Sequence, residues 1–255
     1  MKRVLCPKLP VPGQKVVIPE SEAIHLTRVF RLSDGDRVEA LDGRGNSVHA
    51  ILRVEHGQAK LEYQAPGDAQ KLLPLTLEMA VLKGDAMEWL VEKAVELGVK
   101  NLIPVLTAHT IVQMKNKGPE AFRERWQKIA DQSLKQCGRT TRLEIALPIE
   151  LESLLSEKKA SAESVRLWCD EKSSGQAAEL SEWLKERNPL TGLSLLIGPE
   201  GGWSEIERAL LSRESGENMV RIDLGPLVLR AETAALFAVA LAVAALRHNG
   251  YTETA

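Results

Sequence analysis

The stretch "LLIGPEGGWSEIE", Leu195 to Glu207, places one glutamate inside a glycine-rich loop. Its apolar start predicts a strand over residues 193–197. Ser204, followed three residues later by Glu207, predicts a helix that begins with a capping box. Because α/β proteins hold ligands where a strand ends and a helix begins, the stretch predicts an α/β fold with a ligand site beside Glu200.

The residues of this loop also restrict the ligand. The loop matches neither GxGxxG nor the phosphate-binding GxxxxGK[ST] pattern, and Glu200 would repel a phosphate group. A ligand with ribose hydroxyls, amino groups or positive charge fits better, and S-adenosylmethionine (SAM) has all three. The alternative is a tight turn whose glycines only permit positive φ, with Glu200 exposed to solvent.

A second loop of the same construction follows in "VRIDLGPLVLRAETAAL", Val220 to Leu236. It predicts a strand that ends at Leu224, a Gly-Pro turn, and a helix that begins at Glu232. If both Gly-Pro loops face one cleft, Leu196, Leu224 and Leu229 supply apolar walls for an adenine ring. The second loop therefore strengthens the hypothesis of a nucleoside-containing ligand.

The pattern of hydrophobic residues changes at Pro74. Before it, short alternating segments and one helical segment predict a small antiparallel barrel, followed by a linker over residues 64–74. After it, strands alternate with helices, which predicts a mainly parallel sheet covered on both faces. The predicted strands are 75–81, 101–106, 143–147, 165–169, 193–197 and 220–224, and the predicted helices are 85–97, 119–137, 151–159, 176–187, 204–212 and 232–247.

Composition excludes several classes of protein. The three cysteines form no CxxC pair and the five histidines have no ligand spacing, so we expect reduced cytosolic thiols and no metal. The longest apolar run, Ala234 to Leu246, has thirteen residues, whereas a membrane span needs about 20. We expect it to be a buried helix, and we expect no membrane partner.

Charge is close to balanced overall, with a formal net charge of −2, but it is locally uneven. Residues 115–142 contain eight Lys or Arg against three Asp or Glu. A concentrated basic segment in a near-neutral chain is typical of a surface that contacts phosphate groups.

The two loops together resemble the RsmE family of ribosomal RNA uridine-N3 methyltransferases, within the SPOUT superfamily. The resemblance extends through "MEWLVEKAVELGVKNLIPV", "DQSLKQCGRTTRLEIALP" and "HLTRVFRLSDGDRVEALDG". It implies an N-terminal PUA-like small β-barrel, residues 1–72, and a C-terminal SPOUT α/β domain with a trefoil knot and a mainly parallel sheet, residues 73–255. It also implies a cytoplasmic homodimer that uses SAM to methylate N3 of a uridine in 16S rRNA of the small ribosomal subunit.

The chain departs from the family pattern at a few positions. Phe30 stands where the family usually has Leu, and Val228 and Ala231 replace the commoner Ile and Thr. The segment "TAHTIVQ", from Thr107, lacks the expected serine and arginine, which leaves open how that loop meets RNA.

The resemblance assigns cofactor-binding residues to both loops and to the segment after the second strand of the α/β domain. These residues are Thr107, Leu196, Ile197, Gly198, Pro199, Glu200, Gly201, Gly202, Leu224, Gly225, Leu229, Arg230, Thr233 and Ala234. Methyl transfer to uridine N3 requires loss of the N3 proton and places negative charge on O2 and O4. We assign Arg230 to stabilising that charge, with Glu232 or Glu200 as the candidate base.

These catalytic residues also have ordinary interpretations. Arg230 could form a surface salt bridge with Glu232, Glu232 could be a helix-start acid, and Glu200 could bind ribose or loop amides. RNA contacts are expected from the barrel and the basic segment, namely Arg3, Arg28, Arg31, Arg123, Arg125, Gln132 and Arg139. Two rival functions remain open: an enzyme that binds a phosphorylated nucleotide, and a non-catalytic RNA-binding assembly factor.

Overall fold

The structure is a computed structural model that describes residues 1–70, 72–110, 118–156, 164–171, 177–185 and 192–248. Its described residues form two compact units. The first consists of residues 1–70 and 131–142, and the second of the remainder. The predicted ends of two helices, at 157–159, 176 and 186–187, lie outside the described residues, as do Lys115 and Lys117.

The first unit is built on a five-stranded sheet with the order β1-β3-β4-β5-β2. The strands are β1 (Lys2–Leu5), β2 (Lys15–Val17), β3 (Arg37–Leu41), β4 (Ser47–Glu55) and β5 (Gln58–Pro66). Short strands were predicted here, but an antiparallel barrel was expected, whereas β1 pairs parallel to β3, so the sheet is not wholly antiparallel. The alternating apolar side chains, including Val38, Leu52 and Leu61, form its buried core.

The predicted helix of the first unit changes its winding part-way. Helix α1 (Glu20–Ile24) continues as a π-helical turn over His25–Val29, and Arg31 follows with a φ of 56°. The Leu32 amide donates to the carbonyl of Leu26 at 3.0 Å, a bond across six residues that closes the end of the π-helical turn. An arginine therefore occupies a left-handed position that usually favours glycine.

The second unit contains a parallel sheet of eight strands, which confirms the predicted α/β class. The order is β11-β13-β10-β12-β6-β7-β8, with β9 also paired to β7. The strands are β6 (Leu75–Ala80), β7 (Asn101–Leu106), β8 (Glu144–Ile145), β9 (Ile149–Glu150), β10 (Ser164–Cys169), β11 (Ala178–Glu179), β12 (Gly192–Ile197) and β13 (Met219–Asp223). The short strands β9 and β11 were not predicted.

Six helices follow strands as the alternating pattern predicts. They are α2 (Asp85–Glu96), α3 (Gly118–Cys137), α4 (Leu151–Ser156), α5 (Leu180–Lys185), α6 (Glu205–Glu214) and α7 (Ala231–His248). Gly98, beyond the end of α2, has a φ of 82° and supplies a left-handed helix end.

Helix α7 is apolar enough to be mistaken for a membrane span. Among the described residues it is the one helix that meets the length and hydropathy of such a span. It packs against β6, β12, α2 and α5, and its buried face is rich in alanine, which allows close approach. One face of α7 is therefore part of the core, while its other residues are half-buried or exposed.

A buried ion pair lies inside the parallel sheet. The Arg166 guanidinium of β10 donates to the Glu78 carboxylate of β6 at 2.8 Å, and a second contact between them measures 2.6 Å. Glu78 is 2% exposed and Arg166 is 7% exposed. Because β12 lies between β6 and β10, this ion pair joins two strands that do not hydrogen-bond to each other.

Candidate functional site

The glycine loop lies at the carboxyl edge of the sheet, between β12 and α6. Ser204 accepts a hydrogen bond from the Glu207 amide at 3.2 Å, and the Glu207 carboxylate accepts from the Ser204 amide at 2.9 Å. This confirms the predicted capping box. Gly202 has a φ of 68°, a conformation that other residues rarely adopt.

Buried Trp203 packs against the glycine loop and holds it in place. Its indole N–H donates to the Cys169 carbonyl at 2.8 Å, which ties the glycine loop to the end of β10. A Cβ atom on Gly198 would lie 3.0 Å from the Trp203 ring. Gly198 is therefore needed because the backbone passes directly against the indole.

The segment after β10 contributes acidic residues that the sequence analysis missed. Asp170 is 3% exposed, and both Arg208 and Arg221 contact its carboxylate, with Arg221 at 2.5 Å. Arg208 also contacts Glu171 at 2.7 Å. A Cβ on Gly202 would clash with a carboxylate oxygen of Glu171, so this acid lies directly against the glycine loop.

Two cavities open along these loops. One, of about 620 Å³, is lined by residues 169–171, 223–229 and part of β11 and α5, and another, of about 190 Å³, by the glycine loop. Glu171, Val228 and Leu229 line both cavities. We call the two together the cofactor cleft.

The lining of the cofactor cleft is acidic. Its carboxylates are Asp170, Glu171, Glu179, Glu182, Glu200 and Asp223. No Lys or Arg lines it among the described residues. Asp170 and Glu171 have arginine partners behind the cleft, but the surface that a ligand meets is negative, which favours a cation with hydroxyl groups over a phosphate.

Glu200 is exposed on the glycine loop and accepts a hydrogen bond from the Lys83 amide at 3.1 Å. The loop after β7 lies beside it. The Ala108 amide donates to Glu207 at 2.7 Å, and His109 Nδ1 contacts the Gly202 carbonyl at 2.8 Å. The loops after β6, β7, β10 and β12 are thereby joined at one edge of the sheet.

Some predicted cofactor residues lie in the cleft and others do not. Residues 198–202, Leu224, Gly225 and Leu229 line it. Leu196 and Ile197 are buried in β12, where Leu196 packs in the core cluster with Trp168 and Trp203. Thr107 hydrogen-bonds to Thr110 at 2.9 Å. Thr107 does not line the described part of either cavity, and neither do Thr233 and Ala234 in the first turn of α7.

Arg230 lies between two residues of the cleft lining, Leu229 and Ala231. Its side chain is exposed and has no ion pair with Glu232 or any other described residue. Glu232, in the first turn of α7, is half-buried. Cys169 also lines the cleft, but burial raises the pKa of its thiol to about 12, so it stays protonated at physiological pH.

The predicted RNA-binding residues differ in availability. Arg28, Arg31, Arg123 and Gln132 are exposed, whereas Arg125 is paired with Glu88 and Arg3 with Glu39. Arg139 is 5% exposed, and its guanidinium donates to the carbonyls of Thr141 and Arg142. Arg139 therefore holds the turn after α3, and it does not share an exposed surface with Gln132.

Family models and solved structures match this chain over most of its length. Residues 69–243 match the model of an RNA methyltransferase domain, and residues 18–62 match that of an RNA methyltransferase PUA domain. The ribosomal RNA small subunit methyltransferase E of Synechocystis is 32% identical over 226 residues, which is 88% of this chain and 71% of that protein.

The Bacillus subtilis protein of the same name is 28% identical and covers 87% of each chain. The chain belongs to the RsmE family of RNA methyltransferases. The crystal structure of the Neisseria gonorrhoeae family member bound to S-adenosyl methionine superposes with a TM-score of 0.83, at 28% identity, over 94% of this chain and 96% of that one.

The resemblance to the RsmE family was visible in the sequences of the two Gly-Pro loops, but not in the segment after β10. The glycine loop and the second Gly-Pro loop are distinctive in sequence. "CDEK", Cys169 to Lys172, looks like any acidic turn. The signal that could have found Glu171 was its position, because it follows a strand of the same parallel sheet and must lie at the ligand edge.

Proposed function

We propose that this protein is a SAM-dependent methyltransferase that methylates N3 of a specific uridine in 16S rRNA of the small ribosomal subunit. The observation that carries this proposal is the acidic lining of the cofactor cleft beside the glycine loop. The proposal is supported by family membership and by the solved relative that binds S-adenosyl methionine.

The residues of the cleft fit SAM. Carboxylates that face an open cavity suit the amino group, the sulfonium charge and the ribose hydroxyls of this cofactor, and apolar Leu224, Val228 and Leu229 suit its adenine ring. Gly198 and Gly202 keep the loop free of side chains that would meet the Trp203 ring and the Glu171 carboxylate.

The cofactor supplies a methyl group carried on a sulfonium. The residues of the chain have to orient uracil in line with that group, remove the N3 proton and stabilise the charge that develops on O2 and O4. Arg230 suits the last of these tasks, because it is exposed at the border of the cleft and no described carboxylate neutralises it.

The base is one of two carboxylates. Glu200 is on the glycine loop and accepts a hydrogen bond from the Lys83 amide. Glu232 is half-buried in the turn that follows Arg230. Both remain candidates for accepting the N3 proton, because a base must come within hydrogen-bond reach of that nitrogen.

The proposal extends to the assembly and the setting of the protein. We propose a cytoplasmic homodimer that docks on rRNA, with a trefoil knot in the α/β domain and a domain boundary near residues 72 and 73. Leu227 and Val228 are 75% and 78% exposed, and Phe237 on α7 is 44% exposed. Apolar side chains at this level of exposure are typical of a surface that a second subunit covers.

The test is methyl transfer to isolated ribosomal subunits. Small subunits that lack the modification are incubated with the protein and SAM that carries a deuterated methyl group, and the nucleosides of their rRNA are analysed by mass spectrometry. We expect one deuterated 3-methyluridine per small subunit and none in large subunits. Binding of small subunits without any label would instead identify a non-catalytic assembly factor.

A further inference from the structure

The first unit contains a cavity that the cofactor cleft does not explain. It has a volume of about 350 Å³ and is lined by Met1, Lys2, Arg3, His25, Phe30, Gln132, Lys135 and Gln136. All of these residues belong to the first unit. Pockets that hold small ligands begin at about 300 Å³, so the cavity is large enough for one nucleotide. We call it the barrel pocket.

The side chains of the barrel pocket combine three kinds of chemistry. His25 and Phe30 form an edge-to-face aromatic pair with ring centroids 4.5 Å apart. Three cationic side chains, two glutamines and Met1 complete the lining, and no carboxylate lines it among the described residues. An aromatic surface, amide groups and positive charge together match a base, its polar edges and its phosphate.

The three cationic side chains of the barrel pocket differ in whether a carboxylate already pairs with them. Lys135 is buried and paired with Glu22 at 2.7 Å, and the Arg3 guanidinium contacts Glu39 at 2.9 Å. Lys2 is exposed, and its Nζ lies 4.1 Å from the centroid of the Phe30 ring without a carboxylate partner among the described residues. Lys2 is therefore the cation that can move to a phosphate when a base takes its place on the ring.

The backbone beside the pocket is unusual as well. Its aromatic pair spans the π-helical turn, where the Phe30 amide donates to the His25 carbonyl at 3.0 Å, and Arg31 follows in the left-handed region. π-helical turns and left-handed side chains cluster at functional sites. The exposed Arg28 and Arg31 add positive charge to this same segment.

We propose that the barrel pocket binds one unpaired nucleotide of the substrate RNA, with its base stacked on Phe30 and its phosphate held by Lys2. This rests on the proposed function for the identity of the RNA, but not for the binding itself. An unpaired nucleotide is required because bases inside a duplex present no free face for stacking.

The experiment measures binding of the full chain to a fluorescein-labelled U12 RNA by fluorescence anisotropy. Phe30→Leu keeps the apolar contact with the barrel core but removes the ring, Phe30→Tyr keeps the ring, and Phe122→Leu on α3 is the matched control. We expect Phe30→Leu to raise Kd about tenfold, while the other two variants bind as the unmodified protein does. Equal Kd values for Phe30→Leu and the unmodified protein would overturn the proposal.

Lys2→Ala is a second variant that does not depend on core packing, because Lys2 is exposed. We expect it to lower the slope of log Kd against log salt by about 0.7, the value for one phosphate contact on a single strand. An unchanged slope would remove Lys2 from the site. Tight binding of free UMP would also overturn the proposal, since it would identify a pocket for free nucleotides.

Methyl transfer is measured separately on the same proteins. On unmodified small subunits we expect Phe30→Leu to raise KM and leave kcat unchanged. If Phe30→Leu binds U12 as tightly as the unmodified protein does while methyl transfer continues, the barrel pocket is contradicted and the proposed function is not. Ring-dependent binding of U12 without any methyl transfer by the unmodified protein would contradict the proposed function alone.

Discussion

Individual carboxylates decide which ligand the cofactor cleft accepts. Glu200 is part of the glycine loop and Glu171 lies against it, where a nucleotide-binding protein would present amide groups or a lysine to a phosphate. Glu200 was identified from the sequence because a glutamate among glycines is conspicuous. Glu171 required the structure, because its importance comes from a strand that is distant in sequence.

Arg230 provides the most specific prediction at the scale of one residue. We expect Arg230→Ala to lower kcat for methyl transfer by about 10²- to 10³-fold, since it removes a donor that acts on charge developing in the transition state. SAM affinity, measured by calorimetry, should change little. Arg213→Ala, which removes an arginine with a 73% exposed side chain at the end of α6, is the control. Full activity in Arg230→Ala would end the assignment.

Arg31 allows stability and RNA binding to be separated. Arg31→Gly removes a side chain from a backbone with a φ of 56°, so we expect the free energy of unfolding to rise by up to about 1 kcal/mol. Affinity for small subunits should fall at the same time, because a phosphate contact is lost. Thermal denaturation and a binding titration measure the two effects. A stabler variant with unchanged affinity would show that Arg31 does not contact RNA.

Helices and strands were predicted correctly where the alternation of apolar and polar residues was regular over several residues. The helices α2, α3 and α7 and the strands β6, β7, β12 and β13 fall within one or two residues of the predicted ranges. The strands β1, β9 and β11 have four residues or fewer and carry no readable alternation. The π-helical turn could not be predicted, because its apolar residues fit the spacing of an ordinary helix.

The buried pair of Glu78 and Arg166 gives the prediction at the scale of the sheet. Glu78→Gln leaves the Arg166 guanidinium buried without a countercharge, which costs about 3–5 kcal/mol in the free energy of unfolding. We expect a large drop in the midpoint of urea denaturation. The double variant Glu78→Leu with Arg166→Met should recover most of the loss, because an apolar pair of similar volume needs no countercharge. A drop in the double variant as large as that in Glu78→Gln would contradict this explanation.

At the scale of the whole molecule, the sequence predicted the class of the fold but not how its parts are grouped. The parallel sheet was expected from the alternation of strands and helices. Residues 131–142, in contrast, belong to the first unit, although they begin within helix α3 (Gly118–Cys137) of the α/β pattern. Their contacts, such as Arg3 with the carbonyls of Lys135 and Gln136, join positions more than a hundred residues apart that no local pattern reveals.

The exposed apolar residues of the second Gly-Pro loop and α7 predict self-association. We expect sedimentation velocity to give twice the mass of the chain. Val228→Asp and Phe237→Asp together should shift the protein to a monomer, because two carboxylates would have to be buried in the interface. A monomer in the unmodified protein at micromolar concentration would contradict the proposed dimer.

The acidic cofactor cleft is the feature on which the proposed function depends, and calorimetry tests it directly. The protein is titrated with SAM and, in a parallel experiment, with ATP, which has the same adenosine but carries phosphates in place of the sulfonium and amino acid. We expect saturable binding of one SAM per chain and no measurable binding of ATP. Binding of ATP with an affinity equal to that of SAM, or no binding of SAM, would contradict the assignment.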